Sequence, residues 1–377
     1  LLMATAKIIV RDEVNCKVEG LDLMDRKKLS QKFKYEVPYA RHLPAFKLGR
    51  WDGKIAFFQL GGSTYINLLP EILEYLDAVG YDIELDDQRE YRTDFSFEQV
   101  TEESYTDRAW PEKHPAAGEP ILLRDYQVEV INKFLENPQS LQEVSTGAGK
   151  TIMTAVLSDR CEQYGRTIVI VPNKDLVTQT EADYKNMGLD VGVFYGTRKE
   201  FGKTHTICTW QSLNSLLKKT KNQEAPITIG EFLGGVVCVI VDEVHQAKAD
   251  ALKTLLTGVM ADIPIRWGLT GTIPKEDFEF VGIKVSLGDV INRIAASDLQ
   301  DKGVLANCHV NIVQMIDHVE YKDYQSEQKY LLTDDERLTY ISSLIGEVRA
   351  TGNTLILVDR ISAGKALIDK IDGAVFI

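Results

Sequence analysis

Residues 144–152 read VSTGAGKTI, and this stretch decides how the rest of the chain is interpreted. Gly147 and Gly149 allow backbone N–H groups to curl around a phosphate, and Lys150 and Thr151 follow at the predicted start of a helix. The P-loop consensus G-x-x-x-x-G-K-[ST] has glycine where this chain has Val144, so the loop is the T-G-x-G-K-T variant. We predict that Lys150 reaches the β- and γ-phosphates of a nucleotide, and that the Thr151 hydroxyl binds Mg²⁺.

A second motif indicates that the nucleotide is hydrolysed. The apolar run VVCVIV at 236–241 is followed directly by Asp242, Glu243, Val244 and His245. Two acids at the carboxyl end of a buried strand, downstream of a P-loop, are typical of an NTPase that turns over. We assign Asp242 to the metal and Glu243 to the attacking water; the alternative is a solvated acidic turn.

Two shorter motifs accompany these elements. LRDYQ at 123–127 precedes the P-loop at a predicted helix start, where Gln127 is suited to read adenine through paired amide hydrogen bonds. GLTGT at 268–272 ends a strand and places Thr270 and Thr272 at the sheet edge, where small hydroxyls can sense the γ-phosphate. The alternatives are an ordinary amphipathic helix start and a plain glycine turn.

From residue 121 the chain alternates short apolar strands with helices, which predicts an α/β fold with a parallel, doubly wound sheet. The expected helix starts are Gly149, Asp175, Gln211 and about Lys248. The predicted strands are 141–144, 166–171, 191–195, 204–209, 236–241 and 266–270. After about residue 308 a second alternation begins, with helices near 325–349 and 362–371 and strands at 354–358 and 374–377.

The first part of the chain predicts a separate, small α/β unit. Its expected elements are a strand at 5–10, a hairpin between 51–60 and 62–69, a helix at 70–80 and a strand at 81–85. The polar, proline-rich stretch 101–120 is predicted to be a linker.

Positive charge is concentrated in this first part. The net charge is −13, but residues 26–54 contain nine Lys or Arg and two acids, interleaved with aromatic residues. Such a surface suits the phosphates of a nucleic acid, which bind with salt-sensitive, sequence-independent affinity. We predict that Lys47, Arg50 and Lys54 contact duplex, with Trp51 beside them. The alternative is a solvated basic face with the aromatic residues in the core.

Length and composition restrict the class of protein. The 377 residues favour two or three domains. No apolar run reaches the roughly 18–20 residues that a membrane span needs, and the first residues lack a secretory signal pattern. The five cysteines are far apart without a C-x-x-C pair, which favours reduced thiols in a cytosolic protein over a disulfide framework or zinc site.

Taken in order, LRDYQ, STGAGKT, IVIVPNKDLVTQ, TWQSL, DEVH and GLTGT resemble superfamily 2 helicase motifs Q, I, Ia, Ic, II and III, and TLILVDRI resembles motif IV. The stretch KLGRWDGKIAFFQL is similar to the front domain of phage UvsW-type branch-migration helicases. The resemblance implies a RecA-like P-loop NTPase that uses ATP and Mg²⁺ and acts on branched or duplex DNA in the cytoplasm of a phage host. It implies three domains: 1–117, 118–304 and an incomplete second RecA-like domain at 305–377.

The resemblance also implies which residues form each site. Nucleotide contacts are expected from motifs Q, I and II: Arg124, Gln127, Ser145, Thr146, Gly147, Ala148, Gly149, Lys150, Thr151 and His245. Nucleic-acid contacts are expected from the segments after the strands of the first sheet: Pro172, Asn173, Gly196, Thr197, Thr209, Trp210 and Gln211. Hydroxyls, amides and helix N-termini hold phosphates without reading sequence. Trp210 is equally compatible with a place in the core.

One departure from the family pattern concerns motifs V and VI, which have no counterpart before Ile377. An arginine that reaches the γ-phosphate from the second domain is worth about 10³–10⁵ in turnover, so we expect this sequence to bind ATP but hydrolyse it poorly.

The leading hypothesis is an ATP-dependent DNA helicase or translocase that remodels junctions, forks or R-loops. An RNA helicase, a nucleotide-gated DNA-binding module and the motor of a restriction-type complex are the alternatives. Motif II reads Asp-Glu-Val-His rather than D-E-A-D, which modestly favours DNA over RNA.

Overall fold

The computed structural model describes residues 4–89, 94–246, 249–316 and 318–377. The chain forms two compact units, one that ends at Asn307 and one that begins at Cys308. Within the first unit, we call residues 4–89 the front region and residues 94–307 the P-loop region. None of the helices in the described ranges is long and apolar enough to cross a membrane.

The front region is built on a four-stranded sheet with the order β5-β2-β1-β6, in which β1 is antiparallel to β2 and parallel to β6. Alternate residues of β1 are buried, which is the pattern of a strand with one face on a core. Helix α3 has proline near its start and ends at Gly80, which is left-handed. The elements of this region are β1 (Thr5–Val10), β2 (Asn15–Glu19), α1 (Leu23–Lys32), β3 (Lys34–Glu36), α2 (Pro44–Lys47), β4 (Lys54–Ala56), β5 (Ser63–Tyr65), α3 (Leu69–Val79) and β6 (Asp82–Asp87).

The predicted hairpin between 51–60 and 62–69 is wrong. β4 pairs with β3 in a separate two-stranded sheet, whereas β5 pairs with β2. A tight turn at Gln59–Gly62 sends the chain onto β2, where the Gly62 carbonyl accepts from Val18 N at 2.9 Å. Gly62 has φ +91°, and a Cβ there would lie 2.1 Å from the Val18 carbonyl oxygen, so only glycine permits this approach.

The P-loop region contains an eight-stranded sheet with the order β10-β9-β11-β8-β12-β13-β7-β14. The neighbouring strands are parallel, apart from the short edge strand β10. Its elements are α4 (Asp125–Glu136), β7 (Gln139–Val144), α5 (Lys150–Cys161), β8 (Arg166–Val171), α6 (Lys174–Asn186), β9 (Val191–Tyr195), β10 (Arg198–Lys199), β11 (His205–Thr209), α7 (Trp210–Lys221), α8 (Ile229–Phe232), β12 (Val236–Val241), α9 (Ala249–Thr257), β13 (Ile265–Thr270), α10 (Asp277–Leu287), β14 (Val290–Ile294) and α11 (Ala296–Asp301).

Helices cover both faces of this sheet. Buried residues of α4, α5 and α6 share one apolar core, and those of α7, α9 and α10 share another. The predicted α/β class and doubly wound parallel sheet are therefore confirmed. The helix starts agree within a residue for α5, α6 and α7, whereas the start predicted at about Lys248 lies outside the described residues.

The stretch 101–120, predicted as a linker, is packed against α5 and the end of α6. Tyr105 is buried, and its hydroxyl donates to Asp159 of α5 at 2.7 Å. Arg108 donates to the same carboxylate at 3.1 Å and to the Met187 carbonyl at 2.9 Å. This irregular segment is thus fixed to α5 and to the end of α6.

The front region docks on α9 and α10. Phe278, Val281 and Val285 of α10 lie in the apolar core of the front region. Asn67 donates to the Lys284 carbonyl at 3.0 Å, and the Lys253 ammonium of α9 lies 4.4 Å from the centroid of the Phe57 ring. Helix α10 of the P-loop region therefore completes the apolar core of the front region.

Within the residues that the structure describes, the second unit contains three helices: α12 (Tyr324–Thr333), α13 (Asp335–Arg349) and α14 (Ile361–Ile368). The strands predicted at 354–358 and 374–377 are wrong, since both stretches are irregular. A strand requires a hydrogen-bonded neighbour, and an apolar run alone does not supply one.

Candidate functional site

The P-loop joins β7 to α5 at the carboxyl edge of the parallel sheet. Gly147 and Gly149 have φ +85° and +79°, a left-handed conformation that glycine adopts without strain. A Cβ on Gly149 would also lie 2.7 Å from Nε2 of Gln127. Both glycines are therefore required by the backbone, and α5 begins with Lys150 directly behind them. Of the other predicted loop residues, Ala148 is buried, Ser145 is half-buried and Thr146 is exposed.

Lys150 and Glu243 meet at the centre of this edge. The Lys150 ammonium lies 2.5 Å from Oε1 of Glu243, and the two side chains are 8% and 10% exposed. Asp242 precedes Glu243 at the end of β12 and accepts from its backbone N–H at 2.9 Å. The structure thus brings together the predicted P-loop lysine and both predicted motif II acids.

Burial raises the pKa of Asp242 to about 6, and the neighbouring Lys150 partly opposes this effect. A carboxylate held in an apolar setting gains from a cation, because the cation replaces the solvation lost on burial. Asp242 is therefore suited to a divalent cation beside a nucleotide.

Magnesium usually keeps several waters and takes one or two carboxylates together with substrate phosphates. Asp242 and the Thr151 hydroxyl supply oxygen donors of the kind that Mg²⁺ takes, so their chemistry fits Mg²⁺ bound with ATP. The Thr151 hydroxyl donates to Asp183 of α6, a short contact that leaves its lone pairs available to a metal. Burial raises the pKa of Asp183, and sequence reasoning missed this residue because α6 carries no local signal for it.

Motif III contacts motif II directly. His245 Nδ1 lies 2.6 Å from the Thr270 hydroxyl, which also donates to the Thr272 carbonyl at 2.8 Å. The backbone N–H of Gly271 donates to the second carboxylate oxygen of Glu243 at 3.3 Å. Thr270 is buried and Thr272 is exposed. A shift of the Glu243 side chain would therefore change hydrogen bonds at the end of β13.

Glu243 itself has a strained backbone. Its φ of +51° is left-handed, a conformation that costs a non-glycine residue on the order of 1–3 kcal/mol. Strain of this kind persists where the surroundings fix the residue, and here Lys150 and Gly271 hold the carboxylate.

Residues of motif Q form hydrogen bonds to the backbone of the P-loop. Gln127 is buried; its Oε1 accepts from Arg124 N at 2.9 Å, and its Nε2 donates to the Ala148 carbonyl at 3.2 Å. The Tyr126 hydroxyl donates to the same carbonyl at 2.9 Å and accepts from Arg124 Nη1 at 3.0 Å. Tyr126 was missed by sequence reasoning, although it is the aromatic residue of LRDYQ.

The predicted nucleic-acid residues of the P-loop region follow β8, β9 and β11, and therefore share the carboxyl edge of the sheet. Asn173 and Thr209 cap α6 and α7: their side-chain oxygens accept from Leu176 N at 3.0 Å and from Ser212 N at 3.3 Å. Trp210 is half-buried against an apolar core. The remaining residues at this edge are Pro172, which is half-buried, and Gly196, Thr197 and Gln211, which are exposed.

The basic residues of the front region differ in their partners. Lys54 pairs with Glu36 at 3.2 Å, and the Trp51 indole N–H donates to the Lys54 carbonyl at 2.8 Å. Lys47 and Arg50 are exposed and form no ion pair within the part of the chain that the structure describes. Arg41, which was not singled out from the sequence, shares this property.

Comparisons with known proteins find similar sequences and a similar fold. The family described as "Type III restriction enzyme, res subunit" matches residues 120–275. The ATP-dependent DNA helicase UvsW of Enterobacteria phage T4 is 23% identical over 361 residues, which cover 90% of this chain and 68% of that protein. The DNA 3'-5' translocase XPB2 of Sulfurisphaera tokodaii is 25% identical over 221 residues, which cover 58% of this chain and 46% of that protein.

Two crystal structures of T4 UvsW share the fold at 17% identity and a TM-score of 0.60. One match covers 76% of this chain and 99% of that structure, and the other covers 97% and 72%. The chain spans about two thirds of the UvsW sequence and less than half of XPB2.

Proposed function

This chain belongs to the superfamily 2 helicases of the UvsW type, and we propose that it uses ATP to translocate on and remodel branched DNA. The observation that carries the proposal is the meeting of Lys150 with Glu243, beside Asp242, at the carboxyl edge of one parallel sheet. The same edge carries the loops after β8, β9 and β11. With the nucleotide site and the strand-binding loops at one edge of the sheet, ATP hydrolysis can be coupled to movement along DNA.

Each residue has a role in this proposal. Lys150 leaves Glu243 for the β- and γ-phosphates when ATP enters, and Glu243 then orients and polarises the attacking water. Asp242 and Thr151 hold Mg²⁺, which when bound neutralises charge on the transferred phosphoryl group. Gly271 and Thr270 change their contacts with Glu243 and His245 as the γ-phosphate is lost.

Two surfaces hold the DNA in this proposal. Helix caps and turns at Asn173, Gly196 and Thr209 contact the backbone of one strand without reading its sequence. Lys47 and Arg50 of the front region contact phosphates of the duplex. Because α10 packs into the apolar core of the front region, a step of the motor moves the duplex contact with it. Such coupling suits the displacement of one strand by another at a branch.

The test is steady-state ATP hydrolysis with Mg²⁺, alone and with linear duplex DNA, a four-way DNA junction or RNA of the same sequence. We expect DNA to raise the low basal turnover severalfold, the junction most strongly. Glu243→Gln should lower kcat by about 10²–10⁴, the usual worth of a general base, while the binding of a fluorescent ATP analogue persists. Glu129→Gln, an exposed acid on α4, is the matched control and should hydrolyse normally.

The alternatives give different results. Stimulation by RNA but not by DNA would identify an RNA helicase. DNA binding that depends on ATP without turnover would identify a nucleotide-gated binding module. Absence of any stimulation by DNA, or normal turnover in Glu243→Gln, would refute the proposed motor.

A further inference from the structure

Residues 41–50 form an exposed segment of the front region, which we call the basic knob. All ten residues, RHLPAFKLGR, are exposed. The knob is nevertheless ordered by its own backbone: Lys47 N donates to the Leu43 carbonyl at 3.1 Å, and Arg50 N donates to the Ala45 carbonyl at 2.9 Å. The Phe46 ring lies against Gly53, where a Cβ would approach it to 2.9 Å.

The knob combines two kinds of exposed side chain. Leu43, Phe46 and Leu48 are 37%, 39% and 63% exposed, although each has an apolar side chain. Arg41, Lys47 and Arg50 lie among them, and no acid occurs between Val37 and Trp51. Exposed leucines also occur elsewhere in the chain, but in the knob they stand beside three cations and no acid. This combination fits a ligand with both anionic and apolar parts.

DNA has such parts side by side only where stacking is interrupted. Along an intact duplex, the surface offers phosphates and sugars, while the base faces are covered by their neighbours. At a fork or junction the terminal base pair exposes one face next to the phosphates. Apolar side chains that pack on or between bases at such steps are a known means of holding distorted DNA.

We propose that the basic knob binds the exposed base pair at a DNA branch point, with Leu43 and Leu48 on the base face and the three cations on the flanking phosphates. The inference rests on the proposed function and deepens it. It assigns to the front region a preference for branched over linear DNA.

The position of the knob connects it to the nucleotide site. Tyr39, at its base, donates its hydroxyl to Asp250 of α9. Helix α9 begins a few residues after motif II. The base of the knob is therefore hydrogen-bonded to the helix that follows motif II, so a shift of that helix would be transmitted to the knob.

The test is equilibrium binding of the chain to a forked DNA and to a linear duplex of the same sequence, each with a fluorescent label. The variant is Leu43→Ser together with Leu48→Ser. We expect a roughly five- to tenfold loss of fork affinity, the lower range of what packing on a base contributes, with duplex affinity within about twofold of the parent. The matched control is Ile83→Ser with Leu85→Ser on β6, which are 44% and 65% exposed and flanked by acids.

A second variant reports contact directly. Leu48→Trp places an indole at the tip, and its emission should be quenched by the fork, relative to the parent chain, and hardly at all by the duplex. Equal losses for fork and duplex, or no loss, would overturn the inference while leaving the motor intact. Dissociation of oligomers in the Leu43→Ser, Leu48→Ser chain, with fork affinity unchanged, would show that a second copy covers the tip and would also overturn it. If the parent chain bound no DNA at all, both this inference and the proposed function would be refuted.

Discussion

Nζ of Lys150 lies 2.5 Å from Oε1 of Glu243, although the two residues are 93 positions apart in the sequence. One belongs to the helix after the P-loop and the other follows β12. Both side chains are nearly buried, so the pair replaces solvent for each charge. The lysine that is expected to bind phosphate is thus held by the acid that is expected to act on the attacking water, and binding of ATP must exchange one partner for the other.

A double-mutant cycle tests this exchange. In nucleotide-free protein we expect Lys150→Met and Glu243→Gln each to lower the free energy of unfolding, because each leaves a buried charge without its partner. The double variant should lose less than the sum, with a coupling energy of about 1–3 kcal/mol. Urea unfolding followed by circular dichroism measures all four proteins.

A second double-mutant cycle serves as the control. It uses Lys133→Met and Glu129→Gln, which remove an exposed ion pair on α4, and its coupling energy should be below about 0.5 kcal/mol. Additive losses at Lys150 and Glu243 would mean that the two charges do not stabilise each other in solution.

The buried acid Asp242 predicts a pH dependence of stability. Its folded pKa of about 6 lies above the ordinary value of 3.8, so between these values the folded protein binds more protons than the unfolded chain. This group therefore stabilises the fold below about pH 4, and the contribution is lost as the pH rises through 6. The difference between the two pKa values corresponds to about 3 kcal/mol in the free energy of unfolding.

Asp242→Asn, which resembles the protonated acid, should remove this pH dependence. We expect the parent chain to lose stability relative to Asp242→Asn between pH 4 and 7 in magnesium-free buffer, as measured by urea titration at each pH. Parallel pH profiles for the two proteins would contradict the burial of this carboxyl.

The P-loop glycines predict a second structural sensitivity. Gly149→Ala places a Cβ 2.7 Å from Nε2 of Gln127 on a backbone with φ +79°. We expect weaker nucleotide binding and a loss of roughly 1–3 kcal/mol in stability. Gly188→Ala is the matched control, since Gly188 has φ +76° but nothing within 4 Å of the added atom. Isothermal titration calorimetry with ATP separates the clash at Gly149 from the backbone strain that both variants share. Similar ATP affinities for Gly149→Ala and Gly188→Ala would exclude the contact with Gln127 as the cause of weaker binding.

Motifs that are local in sequence were predictable, because one short stretch contains both the strand and the side chains that follow it. Gly149, Lys150 and Asp242 lie where such reasoning placed them, at the carboxyl edge of a parallel sheet. The contact between Thr151 and Asp183 was not predictable, since it depends on how α5 and α6 cross. The pairing of β5 with β2 depends in the same way on a distant strand and on the space at Gly62.

Charge partners were the other feature that the sequence did not reveal. Lys54 and Lys47 belong to one basic run, yet only Lys54 has an acid beside it, because β3 and β4 place Glu36 across the two-stranded sheet. The packing of the front region on α10 is also nonlocal: Phe57 meets Phe278 at a centroid distance of 6.0 Å. Neither relationship leaves a signal in a short window of sequence.

This difference in partners gives the last prediction, which concerns the salt dependence of duplex binding. Each phosphate contact contributes about 0.9 to the slope of log affinity against log salt concentration. Lys47→Gln with Arg50→Gln should therefore lower the slope by about two. Lys54→Gln should change it less, because the Glu36 carboxylate lies 3.2 Å from that ammonium and competes with phosphate for it. Glu36→Gln provides the reverse test: it frees Lys54 and should raise affinity at low salt. Fluorescence anisotropy with a linear duplex between 50 and 200 mM salt, roughly the range over which such contacts are lost, measures all three. A larger effect at Lys54 than at Lys47 and Arg50 would place the duplex on the face of the two-stranded sheet instead of on the basic knob.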